Sequence, residues 1–467
     1  MYNVALETND MTSVNYPVLP SARSRRLRRH PWSTLLFFSS HIQPTMFSRS
    51  VLQTATRGIR PAARAVPQLT QAPLAGRRYI SVYGYTQAKA LIYSKYGEPK
   101  DVLRYEPISP NQKIILMIPS LHKHSISAPH AAQVNLRMLA APMNPADVNQ
   151  IQGVYPSKPP FQSALGNAEP AAVGGNEGAF EVLSTGAGVK NLSKGDWVIM
   201  KQTGQGTWRT HAQLDESQLI KIENKEGLTP LQVGTVSVNP VTAYRMMRDF
   251  CEWDWMRAGE EWMIQNGANS GVGRAAIQFG REWGIKTLNV VRQRKTPEET
   301  EALKKELKDL GATVVVTEEE MLTGNFRDMV HEYTRQGREP IRLALNCVGG
   351  KNATALAKTL APDSHMVTYG AMSKQPVALP SGLLIFKNLS FNGFWVSKWG
   401  DKNPALKENT IRDVLQLTRS GKFQDIPVDN VEWNWETEGP ALAESVQGTL
   451  GGYRSGKGVF TFTGGDE

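Results

Sequence analysis

The chain has 467 residues and a formal net charge of +10, with two cysteines in all. That length predicts two to three domains with ample core. The charge would point to a nucleic-acid partner if it were spread along the chain, but it is not: residues 1–80 hold eleven arginines, no lysine and two acids, a net of +9, which leaves +1 for the rest. DNA or RNA binding therefore loses its main support. Cys251 and Cys347 alone cannot build a disulfide framework or a cysteine-based zinc site. No apolar run approaches the roughly 18 residues of a membrane span.

Along the chain, residues 46–80 carry Arg49, Arg57, Arg60, Arg64, Arg77 and Arg78 with no acid, in a background of Ser, Thr, Ala and Leu. That composition reads as a mitochondrial transit peptide, with a matrix-protease site expected at Arg77-Arg78-Tyr79-Ile80-Ser81. Residues 1–45 place acids and prolines ahead of a complete targeting signal, so Met46 is expected to be the functional start. The folded body is expected to begin near Lys89. Strands are predicted over residues 89–93, 134–139, 180–183 and 197–200. They are short and separated by Gly, Pro and Asn, which suggests a small β-barrel-like domain.

A helix over residues 240–250 precedes the stretch of most consequence, residues 261–294. Trp262, Met263 and Ile264 lead into Gly267-Ala-Asn-Ser-Gly271-Val-Gly273. An amphipathic helix follows, with Ala275, Ala276, Ile277, Phe279 and Trp283 on its apolar face, and then a β-branched run over residues 287–291. Strand, glycine turn, helix and strand make the first half of a doubly wound dinucleotide-binding unit. Gly267 allows the tight exit from the strand, and Gly271 lets backbone N–H groups approach a pyrophosphate at the helix N-terminus. Gly273 lets the helix lie close to the strand. An NAD site usually has a carboxylate at the end of the second strand. Here stand Arg292, Gln293, Arg294 and Lys295, with no acid before Glu298. Guanidinium groups suit a dianionic 2′-phosphate, so the cofactor is expected to be NADPH. A helix over 298–310, strands over 313–316, 343–347 and 365–369, a helix over 409–418 and a strand over 458–463 complete the pattern. The tail is expected to return to the first domain.

By residues, the chain resembles the mitochondrial trans-2-enoyl-thioester reductase branch of the medium-chain dehydrogenase/reductase superfamily. The resemblance runs from Lys89 to Phe462. It is carried by Asn144-Pro-Ala-Asp147, Ile151-Gln-Gly-Val-Tyr-Pro156, Gly174-Gly-Asn-Glu-Gly178 and Gly206-Thr-Trp-Arg209. Val238-Asn-Pro-Val-Thr-Ala-Tyr-Arg245, the glycine turn, Cys347-Val-Gly-Gly350, Tyr369-Gly-Ala-Met372 and Gly393-Phe-Trp395 extend it. It implies an α/β fold with a GroES-like β-barrel catalytic domain and a doubly wound Rossmann cofactor domain. The expected division is a leader over 1–80, the catalytic domain over 81–238, the NADPH domain over 239–396 and a return to the catalytic domain over 397–467.

The resemblance implies NADPH-dependent reduction of an acyl-carrier-protein- or CoA-linked 2-enoyl thioester in the mitochondrial matrix, the last reductive step of mitochondrial fatty acid synthesis. It also implies a homodimer paired through the edge of the Rossmann sheet. By resemblance Tyr155 is the proton donor and Trp395 the active-site tryptophan. Asn239, Asn269, Ser270, Gly271, Val272, Gly273, Arg292, Gln293, Arg294, Tyr369, Gly370, Ala371, Met372, Phe394, Trp395, Val396 and Lys457 are implied to line the cofactor site. No metal is implied: Asn176 stands where zinc-containing relatives carry a histidine, and amides are poor zinc ligands. His122, His124 and His130 fit a solvated connection at least as well as a metal site. Two segments depart from the family pattern, an insert between Arg104 and Leu121 and a smaller addition around residues 253–256. A zinc-free quinone reductase would share the Rossmann domain but not Gln152-Gly-Val-Tyr155-Pro. A cofactor-binding relative without chemistry would keep the glycines and lose Tyr155.

Overall fold

The computed structural model describes residues 86–102, 121–163, 169–451 and 456–464, all within the unit Pro73–Glu467. The transit peptide, its cleavage site and the insert at 105–120 lie outside the described residues.

The first domain is β-rich. Strands β1 (Thr86–Tyr93), β2 (Leu121–Ile126), β3 (Gln133–Pro142), β4 (Ala172–Val173), β5 (Ala179–Thr185), β6 (Trp197–Met200), β7 (His211–Asp215) and β8 (Leu219–Lys221) follow in order. β1 pairs antiparallel with β2 and with β4. The long strand β3 is the axis of the larger sheet, pairing with β5 on one side and β7 on the other. Its apolar positions, Val134, Leu136, Met138, Ala140 and Ala141, are fully buried. Val134, Leu136, Met138 and Ala141 pack with Phe180, Trp208, Trp433 and Phe460 in one core, where the Trp208 and Trp433 rings meet Phe460 edge to face.

The second domain is a six-stranded parallel sheet, built from β9 (Trp262–Gln265), β10 (Lys286–Val291), β11 (Val314–Thr317), β12 (Ile341–Asn346), β13 (His365–Thr368) and β14 (Ser390–Gly393) in the order β11-β10-β9-β12-β13-β14. The order reverses between β9 and β12, which is where ligands enter such sheets. β9 is buried at every position and β10 at all but its first, as a sheet covered on both faces requires. β14 occupies an edge and was not legible as a strand, because Ser390, Asn392 and Gly393 give it no apolar alternation.

Helix Gly271–Trp283 departs from the simple amphipathic expectation. Residues 272–280 are all buried. Ala275, Ala276 and Phe279 face helix Asn239–Asp249 and helix Pro404–Arg419, whereas Ile277 packs the other way against Leu303 and Leu307 of helix Pro297–Leu310. The polar Arg274 fits inside because Asn269 and Glu306 accept from its guanidinium. The chain rejoins the barrel through β15 (Val428–Trp433) and β16 (Lys457–Phe462), which run parallel to each other. β16 pairs antiparallel with β3 at Val459 and Phe460. The addition at 253–256 is anchored at its start, where Trp253 is buried and donates to Met247 O at 2.7 Å, while Trp255 and Met256 are exposed. Asp254 N–H is held by Glu261 at the foot of β9.

Candidate active site

Tyr155 sits in a turn that follows helix Pro145–Ile151. The backbone N–H groups of Val154 and Tyr155 both donate to Asn149 O, at 3.0 and 3.1 Å. Gly153 turns the chain with a φ of +76°, and a Cβ there would come within 2.8 Å of the Tyr96 ring. The half-buried Tyr155 ring meets Trp395 edge to face, with centroids 5.8 Å apart. Burial raises the phenol pKa above its ordinary value, and the indole of Trp395 opposes it. The Asp147 charge raises it further, while the Ser397 hydroxyl lowers it. Trp395 Nε1 is buried with no hydrogen-bond partner among the described residues, so its effect on the phenol is that of a nearby dipole. At neutral pH the phenol therefore keeps its proton.

The glycine turn follows β9. Gly267 has a φ of +60°, and a Cβ there would meet Cys347 Sγ at 2.5 Å. Ser270 caps the helix, its Oγ accepting from Gly273 N at 3.1 Å. Asn269 Oδ1 accepts twice from the Arg274 guanidinium, at 3.0 and 2.7 Å. A Cβ on Gly271 would stand 3.0 Å from the Asn239 amide, and one on Gly273 would stand 2.5 Å from Ala268 O. The first glycine brings Asn239 over the helix N-terminus; the second seats the helix against the strand exit.

At the end of β10, Arg292 and Gln293 are exposed and Arg294 is half-buried. Arg294 N donates to Thr300 Oγ1 at 2.9 Å. Sequence reading missed an acid here: Glu318, just past β11, has its pKa raised by burial against the lowering influence of Arg292. Past β13, Tyr369 has a buried hydroxyl with no hydrogen-bond partner among the described residues. Burial first, and then Cys347, holds its pKa well above the ordinary value. Gly370 lies against Cys347, while Ala371 and Met372 are exposed. Past β14, Phe394 is buried and Val396 half-buried. Val272 is buried at the start of its helix.

Lys457, the first residue of β16, reaches the same place from the C-terminal segment. Its ammonium donates to Asn144 Oδ1, which also accepts from Asn239 Nδ2 at 3.2 Å. Asn144 Nδ2 donates to Glu177 Oε2 at 2.9 Å. Glu177 Oε1 accepts from Val238 N at 2.7 Å and Ser237 Oγ at 3.3 Å. Asp147 accepts from Asn144 N and Asn176 Nδ2, each at 2.6 Å. Burial pushes Asp147 up to about 6, against the hydrogen bonds from Asn144 and Asn176 and the Lys457 charge. Burial also raises Glu177 and lowers Lys457, each opposed by the other's charge. Lys457 keeps some exposure overall, but the ammonium end lies among these carboxylates.

Asn176 is fully engaged, donating to Asp147 and Gln150 while accepting from Gly204 N at 2.7 Å. Among the described residues no three His, Cys, Asp or Glu converge in a way that could hold a metal ion.

Two family profiles match this chain, "Alcohol dehydrogenase GroES-like domain" over residues 130–224 and "Zinc-binding dehydrogenase" over residues 271–417. A mitochondrial enoyl-[acyl-carrier-protein] reductase of Yarrowia lipolytica is 44% identical over 357 residues, covering 76% of this chain and 85% of that protein. The chain belongs to the mitochondrial enoyl-acyl-carrier-protein reductases. Among solved structures, a mitochondrial 2-enoyl thioester reductase heterodimer from Candida tropicalis matches with a TM-score of 0.71 and 37% identity, covering 80% of this chain and 99% of that one. One of that heterodimer's two proteins, solved with NADP and crotonyl-CoA, also gives a TM-score of 0.71, at 36% identity and the same coverage.

In this enoyl reductase the elements meeting at the reversal point fit a dinucleotide. A glycine turn opens a 13-residue helix, whose N-terminus favours a pyrophosphate. The Tyr369 hydroxyl, beside Ser270 and Cys347, and the Lys457 ammonium, joined to Asn239 through Asn144, are further polar groups near this turn.

Proposed function

We propose that this chain reduces the α,β double bond of trans-2-enoyl thioesters with NADPH, using Tyr155 as the proton donor. The observation that carries the reading is the meeting of Tyr155, from the barrel, with Trp395, from the end of the Rossmann sheet. When bound, NADPH supplies a hydride to Cβ of the enoyl group. Negative charge then develops on the thioester oxygen, and Cα must receive a proton. The raised pKa of Tyr155 keeps its proton on the ring at neutral pH. Trp395 fixes the ring's orientation by its edge contact and keeps water from that side.

Arg292, Gln293 and Arg294 receive the 2′-phosphate, and the backbone of Asn269, Ser270, Gly271, Val272 and Gly273 receives the pyrophosphate. Asn239, Lys457 and residues 369–372 and 394–396 surround the nicotinamide half. The body divides into catalytic, cofactor and returning segments at 81–238, 239–396 and 397–467.

The substrate is linked to acyl carrier protein or CoA, and the processed enzyme works in the mitochondrial matrix. It pairs with a second copy of itself. Support comes from the edge position of β14 among the described residues and from Leu384, Ile385 and Phe386, shortly before it in the chain, which are 49%, 69% and 83% exposed.

The test is product identity. Incubation with NADPH and crotonyl-CoA in deuterated water is expected to yield butyryl-CoA with one solvent deuterium at Cα. Recovery of unchanged crotonyl-CoA would overturn the reading.

A further inference from the structure

Two cofactor-facing donors, Lys457 and Asn239, share one acceptor, Asn144 Oδ1. They come from distant parts of the chain, and neither is held by its own element alone. An amide presents oxygen and nitrogen in opposite directions, so the way Asn144 faces decides whether both donors are satisfied. That choice is made by Glu177, a carboxylate that only accepts and that receives Asn144 Nδ2. Turned over, the amide would set an NH2 group against an ammonium and a second amide donor. Glu177 and Asn144 are 1% and 4% exposed, so bulk water cannot substitute for the missing partner. The other oxygen of Glu177 holds Ser237 and Val238 at the start of the Asn239 helix.

Asn144 is free for this role because Asp147, not the Asn144 side chain, closes the first turn of helix Pro145–Ile151. Asn239 in turn lies against Gly271, the glycine nearest the pyrophosphate end of the site.

We propose that Glu177 is a positioning residue for NADPH: through Asn144 it sets the Lys457 ammonium and the Asn239 amide in the orientation that receives the cofactor. Glu177 itself touches neither cofactor nor enoyl substrate. The proposal rests on the reading of Lys457 and Asn239 as cofactor residues.

The test uses the full chain and measures NADPH dissociation by fluorescence titration without enoyl substrate, beside the Michaelis constants of both substrates. In Glu177→Gln the side chain keeps its size but must turn a donor toward one of its donors. NADPH dissociation and Michaelis constants are expected to rise about tenfold or more, with crotonyl-CoA KM changed less than about twofold. In a Lys457→Met background the same change is expected to cost clearly less than in the parent, because one of the two groups being positioned is gone while Asn239 remains. A role confined to stability would lower the melting temperature and leave these constants unmoved. If Glu177→Gln does not fold, Asn144→Ala, which leaves Glu177 its contacts to the Asn239 helix, carries the same comparison. NADPH affinity within about twofold of the parent, or an undiminished loss in the Lys457→Met background, would overturn the role of Glu177. Lys457→Met binding NADPH like the parent would overturn the cofactor assignment beneath it as well.

Discussion

Tyr155 and Trp395 meet edge to face with ring centroids 5.8 Å apart, although one belongs to a turn after a barrel helix and the other follows β14 at the start of helix Val396–Lys402. The contact joins the proposed proton donor to the cofactor sheet, so the two halves of the chemistry are held in one geometry. Such aromatic pairs contribute about 0.5–1.5 kcal/mol beyond area burial.

Tyr155→Phe isolates the hydroxyl while keeping this ring contact. Turnover is expected to fall by about 10²–10⁴-fold, the usual range for general acid catalysis, with NADPH affinity changed only modestly. Because burial raises the phenol pKa, the parent should keep its donor through neutral and mildly alkaline pH and lose activity only as pH passes above the ordinary tyrosine range. Steady-state rates across pH check both points. Near-parent turnover in a folded Tyr155→Phe chain would reduce the residue to packing.

The two glycines of the helix entrance should fail in different ways. An alanine Cβ at Gly271 meets the end of the Asn239 side chain at 3.0 Å, which can swing away. Gly271→Ala is therefore expected to fold and to bind NADPH more weakly. At Gly273 the Cβ would meet backbone, Ala268 O, at 2.5 Å, and backbone cannot step aside. Gly273→Ala is expected to lose about 1–3 kcal/mol of stability, read by denaturant unfolding.

Replacing Arg292 and Arg294 together by Ala should raise the NADPH KM roughly ten- to a hundredfold, since a charge-assisted contact to phosphate is worth about 1.5–3 kcal/mol. NADH kinetics should barely move. Equal losses with both cofactors would show that this loop does not read the 2′-phosphate. Glu318 beside Arg292 sharpens the expectation, because Glu318→Gln should leave the loop more positive and NADPH binding no weaker.

What could be read from the sequence was local. The run Trp262-Met263-Ile264, the glycine turn and Thr287 to Val291 announce strand, helix and strand within one short window, and the structure has them in those places. The partners that complete the site come from far along the chain. Glu177 was visible as part of Gly-Asn-Glu-Gly, but only the fold brings it to Asn144 and Val238. Lys457 had nothing but a short Gly-Lys-Gly context, and its reach to Asn144 depends on β16 pairing with β3. Helix periodicity likewise could not tell that helix Gly271–Trp283 is covered on several sides, since its covers are the sheet and other helices from distant parts of the chain.

Light scattering at micromolar concentration is expected to give the mass of a dimer. Ile385 and Phe386 are exposed apolar residues shortly before β14 in the chain, and β14 ends the sheet among the described residues; such edges invite pairing. Ile385→Asp combined with Phe386→Asp should give a monomer that keeps its fold. A monomeric parent would contradict this arrangement.

The central claim is that the site reduces an enoyl thioester rather than a quinone, with NADPH in preference to NADH. Its most direct test is the rate of NADPH oxidation followed at constant enzyme with crotonyl-CoA or a quinone as acceptor, repeated with NADH. Crotonyl-CoA with NADPH is expected to give the highest kcat/KM of the four combinations, and Tyr155→Phe to remove that advantage. Rapid oxidation with the quinone and none with crotonyl-CoA would contradict the account.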